Sequence, residues 1–260
     1  MASHKRNRMY RGHRVAVVMP IHNEEKHVDR AVARVPRFVD SIVAVDDGSS
    51  DETCVRLCEI RDSRLVMLRH PRNRGVGAAT KTGYRYCMRA CADLIAVMDG
   101  DGQMDGRDLQ GLLDQAIAGA DYVKGNRFLD FRTIRAMPVR RYIGNRVLSW
   151  FTRRAAGFAG LLDAQCGYTV IRRAGLNRMR FDELYDRYGF PNEMLFEACR
   201  VGLRVTSVPV RTVYGDEVSG INPLTSVPVI FYLIARSYLR RRLFWPAPRL
   251  VPEGETGSVE

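Results

Sequence analysis

"SIVAVDDGSSDETCVRLCEI", residues 41–60, decides the fold class. Ile42, Val43, Ala44 and Val45 are consecutive apolar residues that stop on Asp46, Asp47 and Gly48. A short apolar run closed by turn residues reads as a strand buried on both faces. Past Ser49 and Ser50 the apolar positions recur at three and four, as in Cys54, Leu57 and Cys58, which is a helix. Ser49 with Glu52 three residues on matches a capping box. The stretch is therefore a strand, an acidic turn and a helix in sequence.

The same unit repeats outward. "RVAVVMP" (14–20), "RLVMLRH" (64–70) and "LIAVMDG" (94–100) read as strands, and "ADYVKGNRF" (120–128) as a fifth. "NEEKHVDRAVARV" (23–35) and "GVGAATKTGYRYCMRACA" (75–92) read as helices between them. Strands alternating with helices imply right-handed βαβ crossovers: an α/β fold with a mostly parallel central sheet covered by helices. Beyond Arg132 the pattern predicts a long arginine-rich helix over 138–158 and a strand in "CGYTVIRR" (166–173). A helix in "PNEMLFEACRVG" (191–202) and a strand in "RVTSVPVRTVYG" (204–215) follow. One domain over 14–223 with an elaborated C-terminal half fits, flanked by a flexible basic tail (1–13), an amphipathic helix (224–245) and a tail (246–260).

The net charge of +12 and pI near 9.8 favour polyanionic partners: nucleic acid, anionic lipid or phosphorylated substrates. Seven arginines and no acid lie between Arg132 and Arg154, and Arg236, Arg240, Arg241 and Arg242 form a further cluster. A solvated face is the plain alternative for each. The six cysteines lack zinc-site spacing and read as reduced thiols of a cytoplasmic protein. No segment has the roughly 18 apolar residues of a membrane span. "SVPVIFYLIARSYLRRRLFW" (226–245) suits a helix lying in a membrane interface, or one packed on the domain with its arginines in water.

In open α/β sheets ligands bind at the carboxyl ends of the strands, and here those ends are polar. They carry Pro20-Ile21-His22-Asn23-Glu24, Asp46-Asp47-Gly48-Ser49-Ser50, Asp99-Gly100-Asp101-Gly102-Gln103 and Gly125-Asn126-Arg127. Asn23 is also placed to cap the helix after it. "NRGVGAAT" (73–80) contains GxG without the full dinucleotide spacing. A calcium loop needs glycine at its sixth position and glutamate at its twelfth. From Asp99 those positions are Met104 and Gln110, and from Asp101 they are Gly106 and Leu112, so both registers fail. Asp99, Asp101 and Gln103 alternate and are expected to project to one side, a hard-oxygen set suited to Mg²⁺ or Mn²⁺. The glycines between them are expected to let a bulky ligand approach the backbone.

The ordered set "PIHNEE", "VDDGSSDET", "NRGVGAAT", "DGDGQ" and "GNRF" resembles the family 2 inverting glycosyltransferases of GT-A (Rossmann-like) fold. It is most similar to the dolichyl-phosphate or polyprenyl-phosphate mannosyl and glucosyl synthases. "DAQCGYTVIRR", "NEMLFEACRVGLRVTSVPV" and "VYGDEVSGINP" carry the resemblance to residue 223. It implies that Pro20, His22 and Glu24 line the nucleoside pocket, with Val45 and Asp47 beside base and ribose. Asp99, Gly100 and Asp101 would face the sugar diphosphate, and Asp101 with Gln103 would hold the metal, joined by Asp99 directly or through water. Arg127 matches an arginine that reaches phosphate, making Asp99, Asp101 and Arg127 the catalytic set. Arg141 and Asn145 fall where that branch binds the acceptor phosphate. The implied reaction moves a hexose from a GDP-mannose- or UDP-glucose-type donor to a polyprenyl or dolichyl phosphate, dependent on Mg²⁺ or Mn²⁺. The sequence departs from the family at Val76, where a lysine is frequent, and at Val218, where a basic residue is; Arg211 is near the latter but out of register.

A lipid phosphate oxygen is already anionic and needs no deprotonation. A hydroxyl acceptor on a saccharide, protein or small molecule would need a general base, for which Glu193 and Asp163 are the candidates. Nucleic-acid binding explains the charge but not four polar, mostly acidic strand ends, so no nucleic-acid partner is expected; a nucleotidyltransferase is a further alternative. The expected setting is cytoplasmic and peripheral on the cytoplasmic membrane face. The membrane helices many relatives carry do not follow, so a membrane-protein partner is a further expectation.

Overall fold

The computed structural model describes residues 9–158, 160–213, 223–244 and 249–250. Its first half realises the alternating pattern: β1 (Val15–Ile21), α1 (Val28–Ala33), β2 (Ser41–Asp46), α2 (Thr53–Glu59), β3 (Leu65–Arg69), α3 (Val76–Arg89), β4 (Leu94–Val97), α4 (Leu109–Ile117) and β5 (Tyr122–Asn126). There follow α5 (Phe131–Ala136), α6 (Val139–Ala156), β6 (Thr169–Arg172), α7 (Arg173–Leu176), α8 (Phe190–Arg200), β7 (Arg204–Pro209), α9 (Pro223–Phe244) and β8 (Arg249–Leu250).

The strands form one sheet in the order β3-β2-β1-β4-β6-β5-β7-β8. β6 runs antiparallel to β4 and β5, and the other pairings are parallel. Every residue of β1 is buried, as an unbroken apolar run requires when helices cover both faces. β2 displays the two-residue period inside that run. Val43 and Val45 join the core beneath α3 and α8, while Ile42 and Ala44 join the core beneath α1 and α4.

Two boundaries differ from the sequence reading. The packed chain starts ahead of residue 14: Tyr10 stacks on Phe38 at 4.8 Å and its hydroxyl donates to Asp114 at 2.7 Å. β4 ends at Val97 and residues 100–102 turn, so Asp99, Asp101 and Gln103 do not alternate along a strand. The turn closes when the Gln103 N–H donates to Asp101 Oδ1 at 2.9 Å.

The register levels the carboxyl ends of the central strands. Pro20 pairs with Val45 and Ile21 with Asp46. Beyond β7 the chain returns to this edge, where Thr212 bridges Met104 and the Val213 N–H donates to Gln103 O at 2.9 Å. Helix α9 packs on α6 and α8 through Ile230, Leu233 and Ile234, and Phe231 meets Phe151 edge-on at 5.3 Å. No helix of the described residues is long and apolar enough to cross a membrane. Residues 1–8, the loop of Val218 and most of the tail beyond 245 lie outside the described residues.

Candidate active site

The loops after β1 and β2 are laced together across the sheet edge. The Asn23 N–H donates to Ser49 Oγ (3.0 Å), the Ser50 N–H to Asn23 Oδ1 (2.9 Å) and the Glu24 N–H to Thr53 Oγ1 (2.8 Å). Asn23 adopts φ +56°, a conformation asparagine tolerates better than most residues. Its side chain therefore clasps the opposite loop and does not cap α1, and Ser49 serves Asn23 and forms no capping box with Glu52. The lacing fixes the backbone on which His22 and Glu24 are presented, above the buried Pro20 and Val45.

Asp47 is buried, and both its oxygens hold the loop after β3. They accept the N–H groups of Arg74 (3.0 Å) and Gly75 (2.6 Å), and His70 Nδ1 lies 2.6 Å from Oδ1. The GxG of "NRGVGAAT" answers to packing: a Cβ on Gly77 would stand 2.5 Å from the Tyr185 carbonyl oxygen. The loop so held, with residues 183–187, lines an open cavity of about 750 Å³ beside the β2 and β3 ends.

Asp99 and Asp101 form the acidic wall. Burial, with the charge of Asp101 added, pushes the Asp99 carboxyl up to about 7, against opposing pulls from Arg127, Arg141 and Lys124. The charges of Asp101, Arg127, Arg141 and Lys124 thus all act on one carboxyl group. An Asp99 carboxyl raised by burial and by its neighbour Asp101 fits a divalent cation, which relieves both repulsion and desolvation. No trio of His, Cys, Asp or Glu gathers among the described residues. The residues that could hold such a cation are the two carboxylates, with Gln103 two residues past Asp101, a sparse set of the kind that water and phosphate complete. The glycines here do not leave room for a ligand. A Cβ on Gly100 would lie 2.7 Å from Ile21 Cγ1, so glycine is required by the packing of β1 beneath the turn.

The matching family model is that of glycosyl transferase family 2, over residues 16–180, more than half the chain. The chain belongs to glycosyl transferase family 2. The acidic strand ends lie within the matched span, and the enzyme is a glycosyltransferase. Over most of its length it is similar to a UDP-N-acetylglucosamine–dolichyl-phosphate N-acetylglucosaminyltransferase of Methanococcus voltae, at 27% identity covering 78% of this chain and 86% of that one. It is likewise similar to a polyprenol monophosphomannose synthase of Mycolicibacterium smegmatis, at 29% identity covering 76% of each. Among solved structures it resembles glucosyl-3-phosphoglycerate synthase of Mycobacterium tuberculosis in complex with Mn²⁺, UDP and glucosyl-3-phosphoglycerate. The TM-score is 0.65 at 17% identity, covering 89% of this chain and 80% of that one, which establishes the GT-A fold.

Within this glycosyltransferase several expected residues take other duties. Arg127 is buried, and its Nε and Nη2 fork the carboxylate of the fully buried Asp163 at 2.7 and 2.9 Å. Its charge is felt at Asp99, but those two nitrogens are committed to Asp163 and not presented to a phosphate. Arg211 is tied to Asp108 at 2.9 Å through Nε, beneath the acidic turn. Arg141 is exposed at the start of α6, with the half-buried Asn145 one turn on along the same face.

Lys124 and Tyr188 were not legible as site residues, and Asp163, read from the sequence as a candidate general base, proves to be the partner of Arg127. Lys124 is fully buried, donates to Cys166 O at 2.8 Å, and burial lowers its ammonium to about 8. Tyr188 lies where burial and the charges of Asp99 and Glu24 raise its phenol. The lone signal in the sequence was a lysine inside an otherwise apolar strand.

Proposed function

We propose that the enzyme transfers a hexose from a nucleoside-diphosphate sugar to a polyprenyl phosphate, with inversion at the anomeric carbon and with Mg²⁺ or Mn²⁺ as cofactor. One observation supports the choice of acceptor: among the described residues, the two carboxylates read from the sequence as candidate bases, Asp163 and Glu193, are both committed. Asp163 is locked to Arg127, and Glu193, 5% exposed, accepts the Tyr185 N–H at 2.7 Å and pairs with Arg236. A hydroxyl acceptor needs such a base; a phosphate oxygen, already anionic, does not. What such an acceptor needs is cationic positioning, and the field of Arg141 at Asp99 supports placing its phosphate between α6 and the acidic wall.

In this reading the nucleoside rests against the laced loops at His22 and Glu24, while Val45 and Asp47, expected beside base and ribose, are buried and support the site from beneath. Asp99, Asp101 and Gln103 hold the cation, which when bound neutralises the leaving diphosphate. Arg127, fixed by Asp163, keeps positive potential behind the acidic wall. Arg141 and Asn145 bring the acceptor phosphate to the opposite side of the sugar for in-line attack. Relatives named for dolichyl-phosphate and polyprenol products support the acceptor class.

A polyprenyl acceptor resides in a bilayer, and the surface suits peripheral contact with one. On α6, Val139, Ile143, Val147 and Trp150 are 72, 56, 45 and 50% exposed at helical spacing, among arginines and no acid. Tyr232, Leu239 and Leu243 continue the apolar exposure on α9. Such faces seat in the headgroup region of anionic bilayers. A thermal-shift panel of GDP- and UDP-sugars with Mn²⁺ tests the donor half. Turnover confined to soluble hydroxyl acceptors refutes the acceptor half.

A further inference from the structure

We infer that the Glu193–Arg236 ion pair makes helix α9 the strut of the pocket wall at residues 183–188, so that both residues position the nucleotide end of the donor. The inference rests on the donor-site reading above and adds to it residues that touch neither substrate.

The wall is gripped from two sides. From α3, Lys81 Nζ donates to Leu184 O at 2.7 Å and to Asp182 O at 3.3 Å, and the Ala78 N–H donates to Asp186 O at 3.0 Å. From the other side, Glu193 on α8 accepts the Tyr185 N–H with one oxygen and pairs with Arg236 of α9 through the other. A carboxylate this buried requires a counter-charge to hold its geometry, and Arg236 supplies it. Leu233, one turn before Arg236, lies so close to Gly189 that a Cβ there would be 2.4 Å from Leu233 Cδ1. Helix α9 thus abuts the wall by packing and by charge.

What the wall faces gives the arrangement its consequence. Residues 183–187 form one side of the 750 Å³ cavity and Arg72–Arg74 form the other. The latter loop is the one Asp47 holds. Tyr188, next along, lies in the field of Asp99 and Glu24. Releasing Tyr185 from Glu193 therefore loosens a wall that reaches from the nucleotide pocket toward the acidic pair. The exposed Tyr232, Leu239 and Leu243 sit on the same α9, so the strut ties the lipid-facing helix to the nucleotide pocket.

The test uses full-length Glu193→Gln, Arg236→Gln and Arg236→Lys, with UDP and GDP as probes in the presence of Mn²⁺. Titration calorimetry should show affinity for the nucleotide that wild type binds weakened about tenfold in both Gln variants, the scale of one charge-assisted hydrogen bond. Arg236→Lys, which keeps the charge, should restore most of it. In turnover the donor KM should rise while kcat at saturating donor holds within about twofold, since neither residue meets the reacting atoms. Hydrogen exchange on the ligand-free proteins should show protection lost at 183–188 and retained in β1 and β2. Unchanged affinity, a fall in kcat at constant KM, or protection lost equally across the sheet overturns the inference. Wild type that binds neither nucleotide overturns the donor reading itself, and the inference with it.

Discussion

Replacing Asp99 with asparagine should make the metal-free protein more stable above neutral pH. The Asp99 carboxyl is pushed from its ordinary 3.8 to about 7, first by burial and then by Asp101. Below 3.8 the folded and unfolded chains both carry the proton and the group costs nothing. Between 3.8 and about 7 only the folded chain holds it, so stability falls as pH rises. Above 7 the full cost is present: about three pH units at ~1.4 kcal/mol each, on the order of 4 kcal/mol. For a chain of this size roughly 2–4 °C accompany each kcal/mol, so Asp99→Asn should melt on the order of 10 °C higher at pH 8 in EDTA. At pH 5 the difference should shrink to less than half. Added Mn²⁺ should raise the melting temperature of wild type more than that of the variant, which keeps Asp101 and Gln103. Scanning fluorimetry from pH 5 to 8.5 reads all of this. A variant that melts at or below wild type at pH 8, with the same pH slope, refutes the argument that the acidic pair stands ready for a cation.

Three further outcomes follow from the same geometry. Arg141→Gln should raise the KM for polyprenyl phosphate about 10- to 100-fold, the loss of a charge-assisted phosphate contact, with nucleotide affinity by calorimetry unchanged. Asp163→Asn strands a buried guanidinium and should cost about 3–5 kcal/mol in urea unfolding; a variant of wild-type stability with activity abolished would instead make Asp163 a base. Ile143→Asp with Trp150→Ala on α6 should cut sedimentation with phosphatidylglycerol vesicles while shifting the melting temperature by no more than a few degrees, because both side chains are already at least half exposed.

Much of the fold was legible because β1 and β2 are buried on both faces and leave no polar break in their runs. The strand ends were legible for the converse reason, since carboxylates stop an apolar run abruptly, although Asp47 turns out to hold the loop after β3. The direction of β6 was not legible: "YTVIRR" has the same composition whichever way it runs, and only its partners β4 and β5 make it antiparallel. The partners of Asp163 and Glu193 were equally hidden, since Arg127 and Arg236 lie 36 and 43 residues away in sequence. Glycines misled for a related reason. The need for Gly100 comes from Ile21 on another strand, which no local reading of "DGDGQ" contains.

The central claim is that the acceptor arrives already anionic, so that the enzyme needs no general base. The most direct measurement compares a polyprenyl phosphate with the corresponding free polyprenol, under one nucleotide sugar, in the same vesicles with Mn²⁺ present. The account predicts glycosyl transfer to the phosphate and none above background to the alcohol. Transfer to the alcohol at a comparable rate would contradict it.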